Sequence, residues 1–381
     1  MEQTKHYIGW GQFLLLLFMC RVFTLMTFVP FTGFAGGEEG LSLRLTAAAV
    51  STAVQAVLLI PVVILKKSAT GVLIEKNKAC GIIATALYLL FFLFYTVNSL
   101  LHFQSFLSAR FFPYADSLLW IVVILIICVY CACLGTEALG RSAVLLFWIF
   151  IVTLIAMSFS SAREIDAANL YFDPIESNGL FRAVIEDLSR NGEICAAAFL
   201  AGRVRSSEKI RSKEQISSSE QTVSDVKKHG NLRCGIYGLL ASKLVLAETV
   251  MLLIAAVLGD FAALTDYPFL ALGTFGGERF IQRGDSLYLI VWTVTAVLNV
   301  SFFLHISAEL FGEVFPKMRY RTALSAVLVF GILFAVTVTE MSFAKLYGLM
   351  CSGWAVILLA GIIPLAALLA SGKREGEKSR A

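Results

Sequence analysis

Five ionisable residues crowd one apolar stretch of this 381-residue chain, and their types limit the chemistry open to it. Between Leu180 and Leu200 stand Arg182, Glu186, Asp187, Arg190 and Glu193 among Phe181, Val184, Ile185, Leu188, Ile194 and Phe199. The apolar residues favour membrane insertion by roughly 0.3 to 0.6 kcal/mol each, while each deep charge opposes it by up to about 2.5 to 3.5 kcal/mol. The charges win, so the segment must border protein or water. Mixed acids and bases there suit either reversible binding of a charged solute or ion pairs that fix helices. Both readings remain open. Gly192 tolerates an unwound turn, and the end of a half-helix can bind charge. A break is therefore expected near Asn191, Gly192 and Glu193, with Glu193 the favoured ligand contact and Cys195 beside it.

A second membrane charge, Arg21, lies between Cys20 and Thr24 in the first apolar run, which ends at Pro30. A buried guanidinium needs a partner: a substrate carboxylate held bidentately, or Glu193, Glu248 or Glu309. Lys243 and Glu248 share a later run, where five residues turn a helix by roughly 500°, leaving them about 140° apart. They are expected to find different partners. Asn98, Asn299 and Ser301 are milder polar intrusions suited to hydrogen bonds between helices, and Asn299 is also a candidate ligand contact. The candidate substrate-binding set is thus Cys20, Arg21, Thr24, Gly192, Glu193, Cys195 and Asn299.

Catalytic signatures are missing. The sequence has no H-E-x-x-H, G-x-S-x-G or G-x-x-x-x-G-K-[ST], and His6, His102, His229 and His305 are widely scattered. Cys128, Cys131 and Cys133 share an apolar run with no nearby histidine, which suits helix packing rather than a metal. No enzyme activity, metal or cofactor is expected.

The elements that must position these residues follow from composition. The chain is 58% hydrophobic and 15% charged, with a mean hydropathy of +0.80, and its apolar residues form long runs, as in an integral membrane protein. Crossing about 30 Å of hydrocarbon takes about 20 helical residues. Ten spans are expected, near Ile8 to Val29, Leu45 to Leu65, Gly81 to Leu101, Leu118 to Leu134, Val144 to Phe159, Leu180 to Leu200, Tyr237 to Leu258, Leu287 to Phe311, Ala323 to Val338 and Tyr347 to Leu369. One transmembrane domain covers 1–371, with repeats at about 8–160 and 179–371, a cytoplasmic loop at 203–235 and a cytoplasmic tail at 372–381. The first and sixth spans, the same rung of each half, are interrupted by charge, a pointer to the central site of a repeat-built transporter. Placing both termini in the cytoplasm puts twenty-one Lys and Arg residues on inner segments and eight on outer ones, as the positive-inside rule requires. The net charge of +4 therefore reports topology rather than a nucleic-acid partner.

A family resemblance joins these features. Gly135-Thr-Glu137-Ala-Leu-Gly-Arg141 resembles the G-x-E-x-x-x-R signature of the endospore germination permeases, the B subunits of nutrient germinant receptors. Leu101-His-Phe-Gln-Ser-Phe-Leu107 is similar to that family's exit from span three, and Tyr267-Pro268, Glu278-Arg279, Asp285 and Trp292 resemble its passage into span eight. Gln12 and the Gly192-Glu193 pair fit as well. The resemblance implies the amino acid, polyamine and organocation transporter fold, with two inverted five-helix repeats and substrate held at broken first and sixth helices. It further implies receptor A and lipoprotein C subunits as partners and the inner membrane of a spore; the expected function is a germinant-receptor subunit that binds a small nutrient of the amino-acid kind and triggers germination. Glu137, Arg141, Lys243, Glu248, Glu278 and Arg279 are the expected structural or gating residues. One turn of helix separates Glu137 from Arg141, so a partly exposed ion pair also explains them. An ion-coupled amino acid transporter, or an assembly or conduit subunit that binds no nutrient, are the alternatives.

Overall fold

The computed structural model describes residues 8–27, 40–65, 68–110, 117–172, 174–175, 177–200, 221–265, 267–275, 284–315, 318, 320, 322–328 and 348–378, and among them every regular element is helical. Among the described residues, seven helices are long and apolar enough to cross a membrane. In chain order, α1 is Trp10–Thr27, α2 Leu41–Leu58, α3 Ile60–Ile64, α4 Ala69–Lys76, α5 Lys78–Arg110, α6 Ser117–Leu134 and α7 Thr136–Ser161. After a 3-10 turn at Ala167–Asn169 come α8 Ser177–Ser189 and α9 at 193–200. Then follow α10 Gln221–Leu258, α11 Phe261–Leu264, α12 Pro268–Phe275 and α13 Gly284–Val314. The last are α14 at 322–328, α15 at 348–350, α16 Gly353–Val356, a π-helical segment Ile357–Ile362 and α17 Ile363–Lys378.

Local chemistry sets the ends of these helices. Pro61 has no N–H to continue the α2 ladder, so the helix re-forms as α3 after Leu59. The Ser68 hydroxyl accepts from the Gly71 N–H at 3.2 Å and starts α4. Gly135 turns the chain from α6 into α7 at φ +86°, a conformation that a Cβ would strain. At about 1.5 Å per residue, the 33 residues of α5 span roughly 50 Å, more than the hydrocarbon thickness.

Packing pairs follow a two-fold pattern in which the halves of the chain change places. Helix α1 packs on α7, as α8 packs on α16; α1 packs on α10, as α8 packs on α2. The contact of α13 with α7 is matched by the Tyr88 hydroxyl of α5 donating to the Leu359 carbonyl at 2.5 Å. At the centre α5 lies along α13, with Phe92 stacked on Phe303 and Phe103 on Trp292. Lipid is as apolar as these side chains, so close packing, small residues and hydrogen bonds hold the helices together. Ala196, Ala197 and Ala198 let α9 sit deep in this core.

Several outcomes differ from expectation. Helix α1 is continuous from Trp10 to Thr27 and buried on most sides, so no break falls at Arg21; Pro30 lies outside the described residues. Helix α10 begins at Gln221, so the latter part of the expected 203–235 loop is helical; a polar helix that leaves the bilayer still satisfies its own backbone. The final helix likewise continues to Lys378. Most of the expected ninth span also lies outside the described residues.

Candidate functional site

The sixth span is two helices. At the end of α8 the Arg190 N–H bonds to the Asp187 carbonyl at 3.1 Å and the Asn191 N–H to the Leu188 carbonyl at 3.0 Å, tightening the last turn. The Asn191 amide donates to the Asp187 carbonyl at 2.7 Å and to Asp187 Oδ2 at 3.2 Å. Helix α9 then starts afresh, with the Cys195 N–H on the Gly192 carbonyl at 3.1 Å. The break releases the Arg190 carbonyl, which accepts from Arg21 Nη1 at 3.2 Å and from the Tyr95 hydroxyl at 3.3 Å. Gly192 lies against the Tyr95 ring, where a Cβ would come within 2.4 Å of Cε2. The glycine is required here by close approach.

Charges from four helices converge on this break. Arg21 Nη2 of α1 meets Asp187 Oδ1 of α8 at 3.1 Å. Lys243 of α10 is ion-paired to Glu193 Oε1 in the first turn of α9, and its ammonium also lies 3.4 Å from Gln55 Oε1 of α2. Gln55 in turn donates to the Ser51 hydroxyl at 3.0 Å. An acid at a helix N-terminus is favoured by the helix dipole. Farther along α8, Glu186 accepts from Arg44 at 3.0 Å and from Arg190 at 2.6 Å. Glu193 Oε2 is buried without a hydrogen-bond partner, and so is Arg21 Nε.

Two small cavities flank the break. Toward the Trp10 end of α1, one of about 10 Å³ brings Glu193 against apolar walls that include Trp10, Phe13, Leu17, Ile236 and Leu240. Toward the Thr27 end, one of about 20 Å³ is lined by Arg21, Arg44, Asp187 and Arg190. Aromatic side chains pack at that end: the Trp292 Nε1–H donates to Thr27 Oγ1 at 2.9 Å, the Tyr288 hydroxyl to the Met26 carbonyl at 3.1 Å, and Phe103 and Phe106 pack on Trp292.

The expected site residues fare unevenly. Arg21, Gly192 and Glu193 come together at the break, and Cys20 and Cys195 are buried in α1 and α9. The Thr24 hydroxyl donates to the Arg21 carbonyl of its own helix at 2.9 Å. Asn299 bonds to the Ser99 hydroxyl at 3.1 Å between α13 and α5, and its Oδ1 is buried without a partner. Arg21 pairs with Asp187 rather than with Glu193, Glu248 or Glu309; Asp187 lies one turn before the break and reaches the guanidinium first. Glu309 instead lies 3.5 Å from His305 Nε2. Lys243 pairs with Glu193, while Glu248 forms no ion pair among the described residues, so the second of the two expected partners is not seen. Glu137 and Arg141 pair at the start of α7, where the arginine side chain is 70% exposed. Glu278 and Arg279 lie outside the described residues.

Sequence reasoning left out Asp187, Arg190, Arg44, Tyr95 and Gln55 as site residues. The spacing of Glu186 and Arg190 signals their pair, but Arg44 reads as a loop residue. In the fold its side chain is 4% exposed.

The sequence matches no protein-family model and no curated protein. Among solved structures it is similar to one described as the substrate-bound outward-open state of a Na+-coupled sialic acid symporter. The TM-score is 0.55 at 12% identity, over 91% of this chain and 77% of the other. The protein thus shares the all-helical fold of that structure, and its long apolar helices make it a multi-pass membrane protein.

Proposed function

We propose that this transporter-like protein binds a small nutrient of the amino-acid kind at the break between α8 and α9, and that binding shifts the protein between two arrangements. The observation that carries this is Glu193. Its carboxylate is held at one oxygen by Lys243 and is buried without a partner at the other, in the first turn after the span breaks. Buried polar atoms without partners are rare away from functional sites, and an intramembrane carboxylate at a helix break suits a solute that carries an ammonium group. Lys243 and Arg21 complement it with positive charge, so a zwitterion finds both signs within one site. A ligand acts by binding the two arrangements unequally.

Within this reading, the motifs around Glu137 and Arg141, Tyr267 and Trp292 favour nutrient sensing in a germinant receptor over bulk transport. The protein would then lie in the inner membrane of a spore with both termini cytoplasmic, beside receptor A and lipoprotein C subunits. The distribution of basic residues supports that orientation, which turns the Trp10 end of α1 inward. The test is deletion in a spore-forming host, followed by germination on single nutrients. Loss of response to one nutrient class, restored by the wild-type gene but not by Glu193→Gln at equal protein levels, supports the reading; normal germination on every nutrient overturns it. The transporter fold itself favours a second reading, ion-coupled amino acid uptake. Gradient-driven accumulation of labelled amino acid in reconstituted vesicles would establish that instead.

A further inference from the structure

Lys243 carries its charge from α10 to a place between oxygen atoms of two other helices. The ammonium is ion-paired to Glu193 Oε1 of α9 and lies 3.4 Å from Gln55 Oε1 of α2, and all three side chains are buried. Gln55 is oriented for this contact. Its amide nitrogen donates to the Ser51 hydroxyl at 3.0 Å, one turn earlier in the same helix, which leaves its carbonyl oxygen for the ammonium. A carboxylate and an amide carbonyl are the kind of ligands that a hard cation stripped of water takes, and a helix break is where such ligands gather. Here the positive charge among them is covalently attached. In the pair itself the charges cancel, as they do between neighbouring Arg21 and Asp187. A free cation added beside the ammonium would therefore be a buried charge without a counter-ion, which is strongly unfavourable.

We propose that the Lys243 ammonium is a built-in counter-cation that holds the place of a free sodium or potassium ion, so that the break between α8 and α9 works without either. The first half of this rests on the ion pair, and the second on the nutrient site proposed above. Lysine suits the position: its ammonium is a compact point charge with three donors on a flexible stem, whereas the planar fork of arginine calls for a bidentate partner. A tethered charge is present whatever the salt outside. Binding at the break then follows the solute alone and draws on no sodium or potassium gradient at this position, which fits a sensor better than ion-coupled uptake. Cutting the lysine back would leave the Glu193 carboxylate buried with neither oxygen partnered and room where the ammonium was. A soluble monovalent cation should fill that room.

The experiment uses the full chain in neutral phosphatidylcholine nanodiscs. Its unfolding temperature is followed as sodium, potassium or methylammonium chloride replaces the chloride salt of N-methylglucamine, a bulky cation, at constant ionic strength. The wild type should show no saturable rise with any of them. Lys243→Ala should unfold at lower temperature in N-methylglucamine and regain stability saturably with sodium or methylammonium, and Lys243→Ala combined with Glu193→Gln should lose that response. Lys243→Ser, which leaves similar room and adds an oxygen ligand, serves if the alanine variant does not fold. A merely structural ion pair would not alter the ion dependence of ligand binding, so any amino acid that stabilises the wild type is then titrated. Its half-saturating concentration should be the same in sodium and in N-methylglucamine for the wild type, but about tenfold or more higher in N-methylglucamine for Lys243→Ala, where a charged partner is missing. If no amino acid stabilises the wild type, the nutrient site fails while the cation titrations still decide the role of Lys243. A saturable sodium or potassium response in the wild type, or no response of the folded variant to sodium or methylammonium, overturns the proposal.

Discussion

Glu193 in the first turn of α9 and Lys243 within α10 form an ion pair across 50 positions of sequence, with side chains only 1% and 4% exposed. Taking two charges out of water is costly, and breaking such a pair from one side leaves the other charge uncompensated. The pair therefore ties the second half of the broken helix to α10 for as long as no solute competes for it. Either Glu193→Gln or Lys243→Met alone should destabilise the protein by about 3 to 5 kcal/mol. The double variant Glu193→Leu with Lys243→Met should recover most of that while remaining unable to bind ligand. Thermal unfolding of the three variants checks this; equal losses in the single and double variants would show that the pair is not coupled.

Gly192 sets the distance between the break and α5. Adding a methyl group there forces it against the Tyr95 ring, so Gly192→Ala should cost roughly 1 to 3 kcal/mol through overpacking. Gly192→Ala combined with Tyr95→Ala should be more stable than the sum of the separate effects, because one clash underlies both. A double-mutant cycle on unfolding measures that coupling, and strict additivity would refute the contact.

The corner between α6 and α7 separates two roles within one motif. No atom lies within 4 Å of the Cβ position at Gly135, so its φ of +86° alone sets the cost of substitution. Gly135→Ala should destabilise by about 1 to 2 kcal/mol, whereas Arg141→Gln should cost no more than about 1 kcal/mol, since its pair with Glu137 is largely exposed. If Arg141→Gln nevertheless abolishes the nutrient response at normal stability, the pair acts in signalling; an unaffected response leaves it a surface ion pair.

Trp292 anchors the packing at the Thr27 end of α1. Trp292→Phe removes the bond to Thr27 Oγ1, worth about 0.5 to 1.5 kcal/mol, while Trp292→Ala empties the stack under Phe103 and Phe106 and should cost about 3 to 5 kcal/mol. In a variant that keeps Cys20 alone among the cysteines, Trp292→Ala should speed modification of that buried thiol by a small water-soluble reagent. An unchanged rate would show that access does not run past Trp292.

What the sequence discloses here is tied to the size of the energies involved. Five charges between Leu180 and Leu200 cannot face lipid, so the interrupted sixth span and its break beside Gly192 are legible from composition and one glycine. Partners are a different matter. Helical spacing relates residues one turn apart, which is why Glu186 with Arg190 and Glu137 with Arg141 can be read directly. It says nothing about which of several buried acids reaches Arg21 across 166 positions, so Asp187 is visible as a charge but not as the partner of Arg21, and Gln55 is not visible at all. Arg44 is hidden in another way: near the start of α2 it resembles a loop cation, whereas its side chain is buried and paired with Glu186. The charge interruption at Arg21 suggests a broken first helix, yet α1 stays continuous because α8 brings the guanidinium both a carboxylate and a freed backbone carbonyl.

The most direct measurement is ligand-dependent stabilisation of the purified full chain in nanodiscs against a panel of single amino acids, run side by side with Glu193→Gln and Arg21→Gln. At least one amino acid should raise the unfolding temperature of the wild type in a saturable way, and both variants should lose the response while still unfolding cooperatively. No stabilisation by any amino acid, or an undiminished response in folded Glu193→Gln, would contradict a nutrient site at the break between α8 and α9.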